Sequence, residues 1–579
     1  MASDTTLTVT MKLLSEGSDI GDPGIISVRV THAVNAVAHG EVWIDDGDIA
    51  AGEFRNSNDP KFAPGKKLSI EIGHGTETEP VFEGIVVRHR IRSRRSGTSA
   101  LCLELKHEAI KMHQARKTRH HIEMTDSDIV DGLISEYGLS GEVDGDMDLE
   151  HEKMIQYNVS DWDFVITRAE ANGRVVYNEE DKVVVTAPQV SASDGVEVVL
   201  GDNVWEFEAE AEGRDQYSGG GGLAWDYLGQ EEKTGTAEDP SDIEEQGNVD
   251  AAAVAGELGE GEFELRHPGA LTETELIKWS SATLMRSRLA KVRGRLRVFG
   301  NLDYKVGGTV ALDGFSDVFN GPAYISEVIH NVAGGIWSTE IQMGLAPEKY
   351  LQLHPDVIDA PVSGLVPPMR GLQIGTVREI EEDPQGQFRV LVKMATVNDE
   401  EDGIWARVAH ADAGIDHTFF FQPLVGDEVV LGFLDEDPRH AIVLGSLHNS
   451  EDHKPPIEDN DDFAKKGIVT VEGLKMTFDD GTKSIILETP GGKMVTLDDD
   501  DQQIVRMEDE NGNFIEMSSD GITIESAGEI VIKATQDLTA EGMNVTLSAQ
   551  AQLLAEGAAG IEVSSNAVAV LKGSLVQIN

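Results

Sequence analysis

The sequence predicts a mainly β chain with an α+β N-terminal part, organised as tandem β-barrels followed by a ladder of short strands. Short runs with a period of two, typical of strands, recur along most of the 579 residues. Stretches with both a helix cap and helical apolar spacing occur at three places, all before residue 292. After Gly473, glycines and short polar runs separate one strand-like segment from the next.

The composition limits the classes of partner. The chain has 47 basic and 104 acidic residues, a formal net charge of −57. Such a surface repels phosphate backbones and anionic lipids, so we expect neither nucleic-acid binding nor binding to a membrane surface. A very salty cytoplasm, in which this self-repulsion would be screened, is a hypothesis for the source.

Cysteine content and hydropathy limit the disulfides, metal sites and membrane spans that the chain could contain. Cys102 is the single cysteine, which rules out an intrachain disulfide and a multi-cysteine zinc site. The start of the chain lacks a basic and apolar leader, and no stretch has the eighteen or so apolar residues of a membrane span. We therefore expect synthesis in the cytoplasm, with no stable membrane insertion.

The first 190 residues combine strands with two capped helices. Thr125 is predicted to cap a helix that ends at Gly138, and Ser160 one that ends at Gly173. The strands are predicted at residues 6–9, 26–30, 38–44, 68–72 and 81–87.

The strands and helices predicted in the first 190 residues follow one another in a characteristic order. The strand at 81–86, the helix starting at Thr125 and the segment 158–173, with Asp161-Trp162-Asp163-Phe164, follow one another. This order resembles hub proteins of contractile phage tails and the N-terminal part of VgrG spike proteins of type VI secretion. The resemblance implies two β-barrels that trimerise into a ring of pseudo-sixfold symmetry, on which a hexameric tube sits.

Residues 190–270 are interpreted as an exposed loop or insertion, because the run Ser218 to Gly222 is flexible by composition and residues 231–247 are acidic.

Thr272 and Glu275 then form a capping box for a helix to Lys291. Its basic end, residues 286–297, has two interpretations. The charges suit a helix C-terminus and offset nearby acids, or they dock an acidic rim of the tube. Further strands are predicted at 296–299, 309–312, 323–330 and 337–343.

A proline-rich connector precedes a block with five strand candidates, the size of an OB-fold. Acidic runs at 379–383, 399–402 and 435–437 argue against the basic groove that binds nucleic acid. The sequence of this block resembles that of the OB domain of VgrG and of phage baseplate spikes. The resemblance rests on residues 405–408, an aromatic strand Phe419-Phe420-Phe421, residues 425–433 and residues 443–449.

In the C-terminal segment, residues 473–579, each predicted strand has one narrow apolar stripe, and no other element is predicted to cover it. Three identical chains wound around one axis would close these stripes into a shared core, so we predict a trimeric intertwined β-helix or prism. A single-chain β-solenoid and a β-sandwich are the alternatives. The predicted strands are 474–478, 504–507, 514–517, 522–524, 530–532, 545–547, 561–563 and 568–570.

Catalytic, cofactor and metal sites are not predicted. Only residues 450–462 separate the small barrel from the ladder, too few for an enzyme domain. The acidic run 498–501 lies at a predicted turn, with a calcium site as the minor alternative. His120 and His121 lack a ligand partner at helical spacing and are placed on a solvated face.

The predicted function is a homotrimeric central spike and hub of a contractile injection system, a structural protein and not an enzyme. Its expected partners are the inner tube ring, baseplate proteins and a small conical PAAR-like tip protein. The particle would assemble in the cytoplasm, as a virion or phage tail-like injection particle, and release the spike. A trimeric tailspike adhesin and a cell-surface hydrolase are the alternatives. The tip protein is predicted to bind Leu575, Val576, Gln577, Ile578 and Asn579.

The predicted domains divide the whole chain. They are a hub barrel with helices at 1–190, a second hub barrel with an acidic Gly-rich insertion at 191–355, a linker at 356–370, an OB-fold at 371–450, a connector at 451–472 and a β-helical needle at 473–579.

Overall fold

The computed structural model describes residues 8–48, 51–94, 99–259, 261–397, 403–451, 453–457 and 462–578. The chain forms two compact units, Met1–Met369 with Asp435–Asp437, and Arg370–Leu434 with Pro438–Asn579. Strands predominate in both, so the predicted mainly β class is confirmed. Residues 6 and 7 of the first predicted strand lie outside the described residues.

The first unit contains the strands that build both predicted barrels. They are β1 Val9–Ser15, β2 Ser18–Asp19, β3 Ile25–Ala33, β4 His39–Asp45, β5 Lys67–His74, β6 Glu77–Ser93, β7 Ser99–Lys106, β8 Arg116–Thr125, β9 Ser140–Val143, β10 Glu150–Ser160, β11 Val175–Glu179, β12 Lys182–Thr186, β13 Val196–Val199, β14 Val204–Ala211, β15 Gly219–Asp226, β16 Glu231–Thr236, β17 Glu262–His267, β18 Val292–Phe299, β19 Thr309–Asp313, β20 Gly321–Ala333 and β21 Ile336–Met343.

One sheet joins the two predicted barrels. Its order among the described residues is β14-β18-β21-β20-β3-β4-β7-β6-β5-β1-β2, with β19 and β13 branching from β20. The junction is the antiparallel pair β3–β20, in which Val30 lies opposite His330. Leu13, Val42 and Leu103 are fully buried in the core on one side of this junction. Leu296 and Ile341 are fully buried on the other.

The helices of this unit are α1 Asp126–Ser135, α2 Asp161–Ala171, α3 Ala251–Leu258, α4 Glu273–Ala290 and α5 Tyr350–Leu353. The three predicted caps are confirmed. The hydroxyl oxygens of Thr125, Ser160 and Thr272 each accept a hydrogen bond of 3.1 Å from the backbone N–H three residues later. These bonds satisfy N–H groups that a helix start would otherwise leave unpaired.

The glycine run is a strand, and its assignment to an exposed, flexible loop is wrong. Gly219 to Gly222 open β15, the central strand of a sheet with the order β16-β15-β17. A Cβ at Gly222 would lie 3.0 Å from Leu276 Cδ2, and one at Gly235 would lie 2.7 Å from Ile277 N. The glycines therefore allow α4 to approach the sheet, which composition alone does not reveal.

The second unit begins with a closed barrel, which confirms the five-strand prediction. The barrel order is β22-β23-β24-β26-β25. Its strands are β22 Gln373–Glu379, β23 Val390–Met394, β24 Ile404–Val408, β25 Glu428–Phe433 and β26 Ala441–Ser446. Antiparallel pairing of β22 with β25 and parallel pairing of β24 with β26 close it.

A seven-stranded antiparallel meander follows in the same unit. Each strand pairs with the next in sequence, so the segment is neither a solenoid of parallel rungs nor a sandwich of two sheets. Its strands are β27 Lys465–Val469, β28 Lys475–Asp479, β29 Ser484–Glu488, β30 Met494–Asp498, β31 Ile504–Glu508, β32 Phe514–Ser518 and β33 Gly521–Glu525.

Beyond β33 the prediction of further strands is wrong for the single chain. Residues 530–532, 545–547, 561–563 and 568–570 form no strand within the described chain. A strand exists through hydrogen bonds to a neighbour, and residues 526–578 pair with no strand of their own chain that the structure describes.

Candidate assembly sites

One face of the meander carries a continuous apolar stripe. The register places Phe478 opposite Ile485, Ile485 opposite Leu497, and Leu497 opposite Val505. A second column lies beside the first on the same face. The stripe consists of Met476, Phe478, Ile485, Leu487, Val495, Leu497, Val505, Met507, Ile515, Met517, Ile522 and Ile524.

No described segment of the chain covers the apolar stripe. Leu497 is 43% exposed, Met507 is 53% exposed and Ile522 is 70% exposed. A contiguous apolar surface on a soluble protein marks an interaction site. The stripe is therefore a candidate assembly surface.

Acidic side chains stabilise turns between these strands by accepting hydrogen bonds from backbone N–H groups. Asp498 Oδ1 accepts the backbone N–H of Asp500 at 3.0 Å and of Asp501 at 2.9 Å. Asp509 holds the next acidic turn through the N–H groups of Asn511 and Asn513. The acidic run 498–501 thus has a local structural role, since Asx side chains favour tight turns by such bonds.

The last described segment, residues 526–578, is exposed almost throughout. Its apolar side chains include Val545, 59% exposed, and Val563, 80% exposed. Of the predicted tip-binding residues, Leu575 is 82% exposed, Val576 48% and Ile578 89%. Gln577 is also exposed, and Asn579 lies outside the described residues.

The barrel of the second unit has an aromatic patch outside its strands. Phe419, Phe420 and Phe421 are 48%, 54% and 50% exposed and belong to the connection between β24 and β25, so their prediction as a strand is wrong. The barrel closes through β24 and β26, which leaves this segment on the surface. The acidic run 399–402 lies outside the described residues.

Asp383, from the acidic run 379–383, braces a loop of the barrel. Its carboxylate accepts a hydrogen bond of 2.6 Å from Arg389 and further bonds from the backbone N–H groups of Gln385 and Gln387. The hydrogen bond from Arg389 holds the pKa of the Asp383 carboxyl well below its ordinary value.

The basic run 286–297 is engaged by its own chain, as the first interpretation predicted. Arg286 contacts Glu170 and also donates to the carbonyl of Glu348 at 2.9 Å. Four other basic residues pair with acids: Arg288 with Asp239, Lys291 with Glu245, Arg293 with Glu210, and Arg295 with Glu206. Arg297 donates to the Ser338 hydroxyl at 3.4 Å. These contacts disfavour the tube-docking alternative.

The sequence analysis missed a denser basic run, whose first six residues lie on β6. Residues 88–95 read Arg-His-Arg-Ile-Arg-Ser-Arg-Arg, and the density of arginine in so acidic a chain was the available signal. Arg88, Arg90 and Arg92 are exposed, and β5 pairs with β6 only as far as Ile85. Beyond Val86, β6 forms no backbone hydrogen bond on that edge with any residue that the structure describes.

The paired histidines do not share a solvated face, so that prediction is wrong for one of them. His120 is exposed, but His121 is buried and stacks on Phe164 with 5.7 Å between ring centroids. Alternation along β8 puts neighbouring side chains on opposite faces. Burial lowers the pKa of His121.

A cleft of about 580 Å³ in the first unit is lined by His32, His107 and His330. Burial lowers the pKa of His107 to about 4 and that of His330 to about 3. Within the described ranges, no group of three or more His, Cys, Asp or Glu side chains could hold a metal ion. No described helix has both the length and the apolar content needed to cross a bilayer.

Two family models match the chain. The model described as the Alg8 N-terminal domain matches residues 5–334. The model described as the type VI secretion system/phage-baseplate injector OB domain matches residues 373–448, which contain the closed barrel. No curated protein matches.

Similar solved structures come from phage tails and type VI secretion. The 43 kDa tail protein of prophage MuSo2 from Shewanella oneidensis is 12% identical, with a TM-score of 0.44 over 59% of this chain and 99% of that one. A tail protein from Neisseria meningitidis is 13% identical, with a TM-score of 0.43 over 58% and 97%. A chain of the Francisella PdpA–VgrG complex is 9% identical, with a TM-score of 0.40 over 90% and 87%. With TM-scores below 0.5, these remain similarities alone.

The first match spans more than half of the chain, and the chain therefore belongs to the Alg8 N-terminal domain family. Its barrel is an injector OB domain, which confirms the resemblance to VgrG and contractile phage tail hub-and-spike proteins.

Proposed function

We propose that the protein is a structural central spike, a homotrimer whose needle forms only when three copies associate. The observation that carries this proposal is the apolar stripe on the meander together with the exposed residues 526–578. Burying the exposed half of one such side chain stabilises the assembly by on the order of 1 kcal/mol. Such contributions add up along the stripe.

The backbone supports the same proposal. Residues 526–578 form no strand pair within the described chain, and buried backbone groups need hydrogen-bond partners. A neighbouring copy supplies these partners along the whole segment, as in other interwound rods. Threefold winding also leaves no open sheet edge, which a pair of flat sheets would not achieve.

The proposed role is mechanical, not enzymatic. The needle transmits axial force, and hydrogen bonds between chains resist its unfolding. The acidic run 498–501, the strongest candidate for chemistry in the tail, is engaged in holding its own turn. This supports a structural use for the acidic turns.

Partners and location belong to the same proposal. The first unit joins the inner tube ring, baseplate proteins surround the barrel, and a small conical tip protein binds Leu575 to Asn579. Assembly into the particle takes place in the cytoplasm, and the spike leaves the cell with the particle. The high exposure of Leu575 and Ile578 supports an uncovered apolar end.

The test is the solution mass of the purified chain by light scattering. Three copies of 62.7 kDa give about 188 kDa, and we expect that mass. Deletion of the residues after Pro456 is expected to lower it. A monomer of 62.7 kDa would contradict the trimer. Degradation of purified cell wall by the intact chain, absent from a buffer control, would favour the hydrolase alternative.

A further inference from the structure

We propose that the histidine-lined cleft of the first unit binds an uncharged ligand that carries an amide group on an apolar body. The cleft lies against the paired strands β3 and β20, which join the two predicted barrels, and we call it the junction cleft. Its volume of about 580 Å³ is within the range of about 300–1,000 Å³ that ligand pockets have. The proposal concerns a single chain and does not depend on the proposed trimer.

Strand alternation brings one side of the junction cleft together. Val328 and His330 are two residues apart on β20, so they share a face of the sheet, and the register places His32 of β3 directly opposite Val328. All three side chains line the cleft. The other walls include Phe82 of β6 and Tyr304 from the segment between β18 and β19, both buried. The interior is therefore apolar apart from a few polar atoms.

The hydrogen bonds of His330 fix its tautomer. Its Nδ1 lies 3.1 Å from Thr339 Oγ1, and that hydroxyl donates its only proton to the carbonyl of Asn301 at 3.2 Å. The proton between His330 and Thr339 therefore belongs to Nδ1, which leaves Nε2 with a lone pair. Burial lowers the pKa of His330 to about 3, so the ring is neutral at pH 7. Nε2 is thus an acceptor, and the described chain supplies no donor to it.

A second buried side chain of the cleft has an unused donor. Asn178 is 2% exposed, and its Oδ1 accepts the backbone N–H of Ala38 at 2.9 Å. This bond sets the orientation of the amide and leaves Nδ2 as a donor without a partner among the described residues. A buried donor left unpaired destabilises the folded protein. A ligand with one acceptor and one donor satisfies both Asn178 and His330.

The other two histidines of the junction cleft serve the fold. His107 Nδ1 accepts the backbone N–H of Ala109, and its Nε2 donates to the carbonyl of Glu180, both at 3.1 Å. His32 Nε2 lies 3.1 Å from the carbonyl oxygen of Val81. Polar contact with a ligand therefore falls to Asn178 and His330.

The charged residues of the junction cleft lie at its rim. Four acids and two lysines give a net charge of −2, and all six are exposed: Lys67, Glu83, Glu179, Glu180, Asp181 and Lys305. This balance does not attract an anion. Because none of the four carboxylates is buried, a cationic group in the interior would lack a counter-charge, and an unpaired buried charge is costly. The cleft therefore favours an uncharged ligand.

An amide has the required pair of groups. Its carbonyl oxygen accepts from Asn178 Nδ2, its N–H donates to His330 Nε2, and an apolar body contacts walls such as Phe82. A carboxylate has no proton for Nε2, and a hydrocarbon leaves both atoms unsatisfied. Amides occur in free small molecules and in the peptide chain of a partner protein, and the experiments distinguish these two sources.

The first experiment titrates the full-length protein at pH 7 with three matched probes in a calorimeter. Benzamide is uncharged, benzoate carries a carboxylate, and benzylamine carries an ammonium group. We expect benzamide to bind at least about tenfold more tightly than either charged probe, because the interior has no group to pair their charge. Equal binding of the three, or no binding of benzamide, would overturn the proposal.

A peptide probe identifies the source of the amide. An acetylated and amidated pentapeptide, with one central phenylalanine among glycines, is titrated beside benzamide. Tighter binding of the peptide would assign the junction cleft to an extended chain of a partner protein. Benzamide binding that is equal or tighter would assign it to a free small molecule.

Substitutions test where benzamide binds. Leu302→Trp enlarges a side chain that lines the junction cleft and is expected to weaken benzamide binding at least about tenfold. Ile336→Trp, at a position that is 58% exposed and does not line the cleft, is the matched control and should keep the parental affinity. His330→Phe keeps a ring and removes Nε2, with an expected loss of about tenfold, the effect of one hydrogen bond. Parental affinity in both cleft variants would overturn the proposal.

A photoreactive benzamide gives a readout that needs no substitution. After irradiation, mass spectrometry of peptides is expected to find adducts on residues 80–83 or 302–306, which line two walls of the cleft. Adducts confined to other segments would overturn the assignment. Because the cleft belongs to one chain, a monomer that binds benzamide there would contradict the trimer and leave this proposal standing.

Discussion

At the residue scale, the first unit depends on a buried ion pair between its first two helices. Asp126 is fully buried at the start of α1, and Arg168 of α2 donates to its two oxygens at 2.7 and 2.8 Å. Asn172 adds a third bond of 2.9 Å. Burial opposes ionisation of Asp126, but the bonds from Arg168 outweigh it and lower the carboxyl pKa.

Removing one member of this pair is expected to be costly. Asp126→Ala leaves the Arg168 guanidinium, on a side chain that is 16% exposed, without its carboxylate, and we expect a loss of up to about 3–5 kcal/mol in the free energy of unfolding. Asp128→Ala, an exposed acid in the same helical turn, is expected to cost less than about 1 kcal/mol. Urea unfolding followed by circular dichroism measures both, and equal losses would contradict the assigned role.

The buried histidines predict loss of stability in acid. The folded pKa of His330 is about 3 and that of His107 about 4, both below the ordinary value of 6.5. Between the folded pKa of each histidine and its ordinary value, the unfolded chain binds a proton on that histidine that the folded chain does not bind. Their stabilising contribution is therefore present above pH 6.5 and is lost as pH falls, by up to about 1.4 kcal/mol per pH unit for each histidine.

His330→Gln is expected to flatten this dependence. Urea unfolding at pH 7 and at pH 5 should give a smaller difference in the variant than in the parent chain. The exposed His267→Gln serves as the control and should keep the parental difference. A His330→Gln profile that matches the parent would show that other groups carry the acid sensitivity.

At the element scale, alternation along each needle strand separates an apolar face from a polar one. Leu497 and Thr496 are neighbours on β30, and the register places Leu497 in the stripe and Thr496 opposite Arg506 on the other face. A carboxylate on the stripe would be buried in the proposed assembly, which costs several kcal/mol when it is unpaired.

Leu497→Asp is thus expected to reduce the mass from about 188 kDa toward 62.7 kDa, whereas Thr496→Asp is expected to leave it unchanged. Light scattering over a concentration series distinguishes the two. If Leu497→Asp retained the full mass and the parental thermal stability, the stripe would not be the assembly surface.

At the scale of the whole molecule, net charge opposes assembly. Three copies at −57 each bring together a net charge of −171. This repulsion is screened over about 10 Å at 0.1 M salt and about 3 Å at 1 M. Apolar burial does not depend on charge, so the balance shifts toward assembly as salt rises.

We expect the trimer to resist dilution better at about 1 M than at about 0.1 M sodium chloride. Sedimentation velocity at matched protein concentrations measures the trimer fraction. Dissociation on adding salt would mean that ion pairs between copies dominate the association and the stripe does not.

The sequence by itself determined the features whose cause is local. The hydroxyl oxygens that cap three helices, those of Thr125, Ser160 and Thr272, accept hydrogen bonds from backbone N–H groups only three residues away. The starts of these helices could therefore be predicted from nearby residues in the sequence. Alternation likewise predicted the five barrel strands and the meander strands at 474–478, 504–507, 514–517 and 522–524, but it missed those at 465–469, 484–488 and 494–498. The order of the motifs predicted the resemblance to hub-and-spike proteins.

Tertiary structure alone decided what depends on residues distant in sequence. Gly222 packs against Leu276, the pair β3–β20 joins the two predicted barrels, and Asp126 finds Arg168 on another helix. Residues 526–578 carry strand periodicity yet form no strand in one chain, because a strand needs a partner and this chain provides none among its described residues.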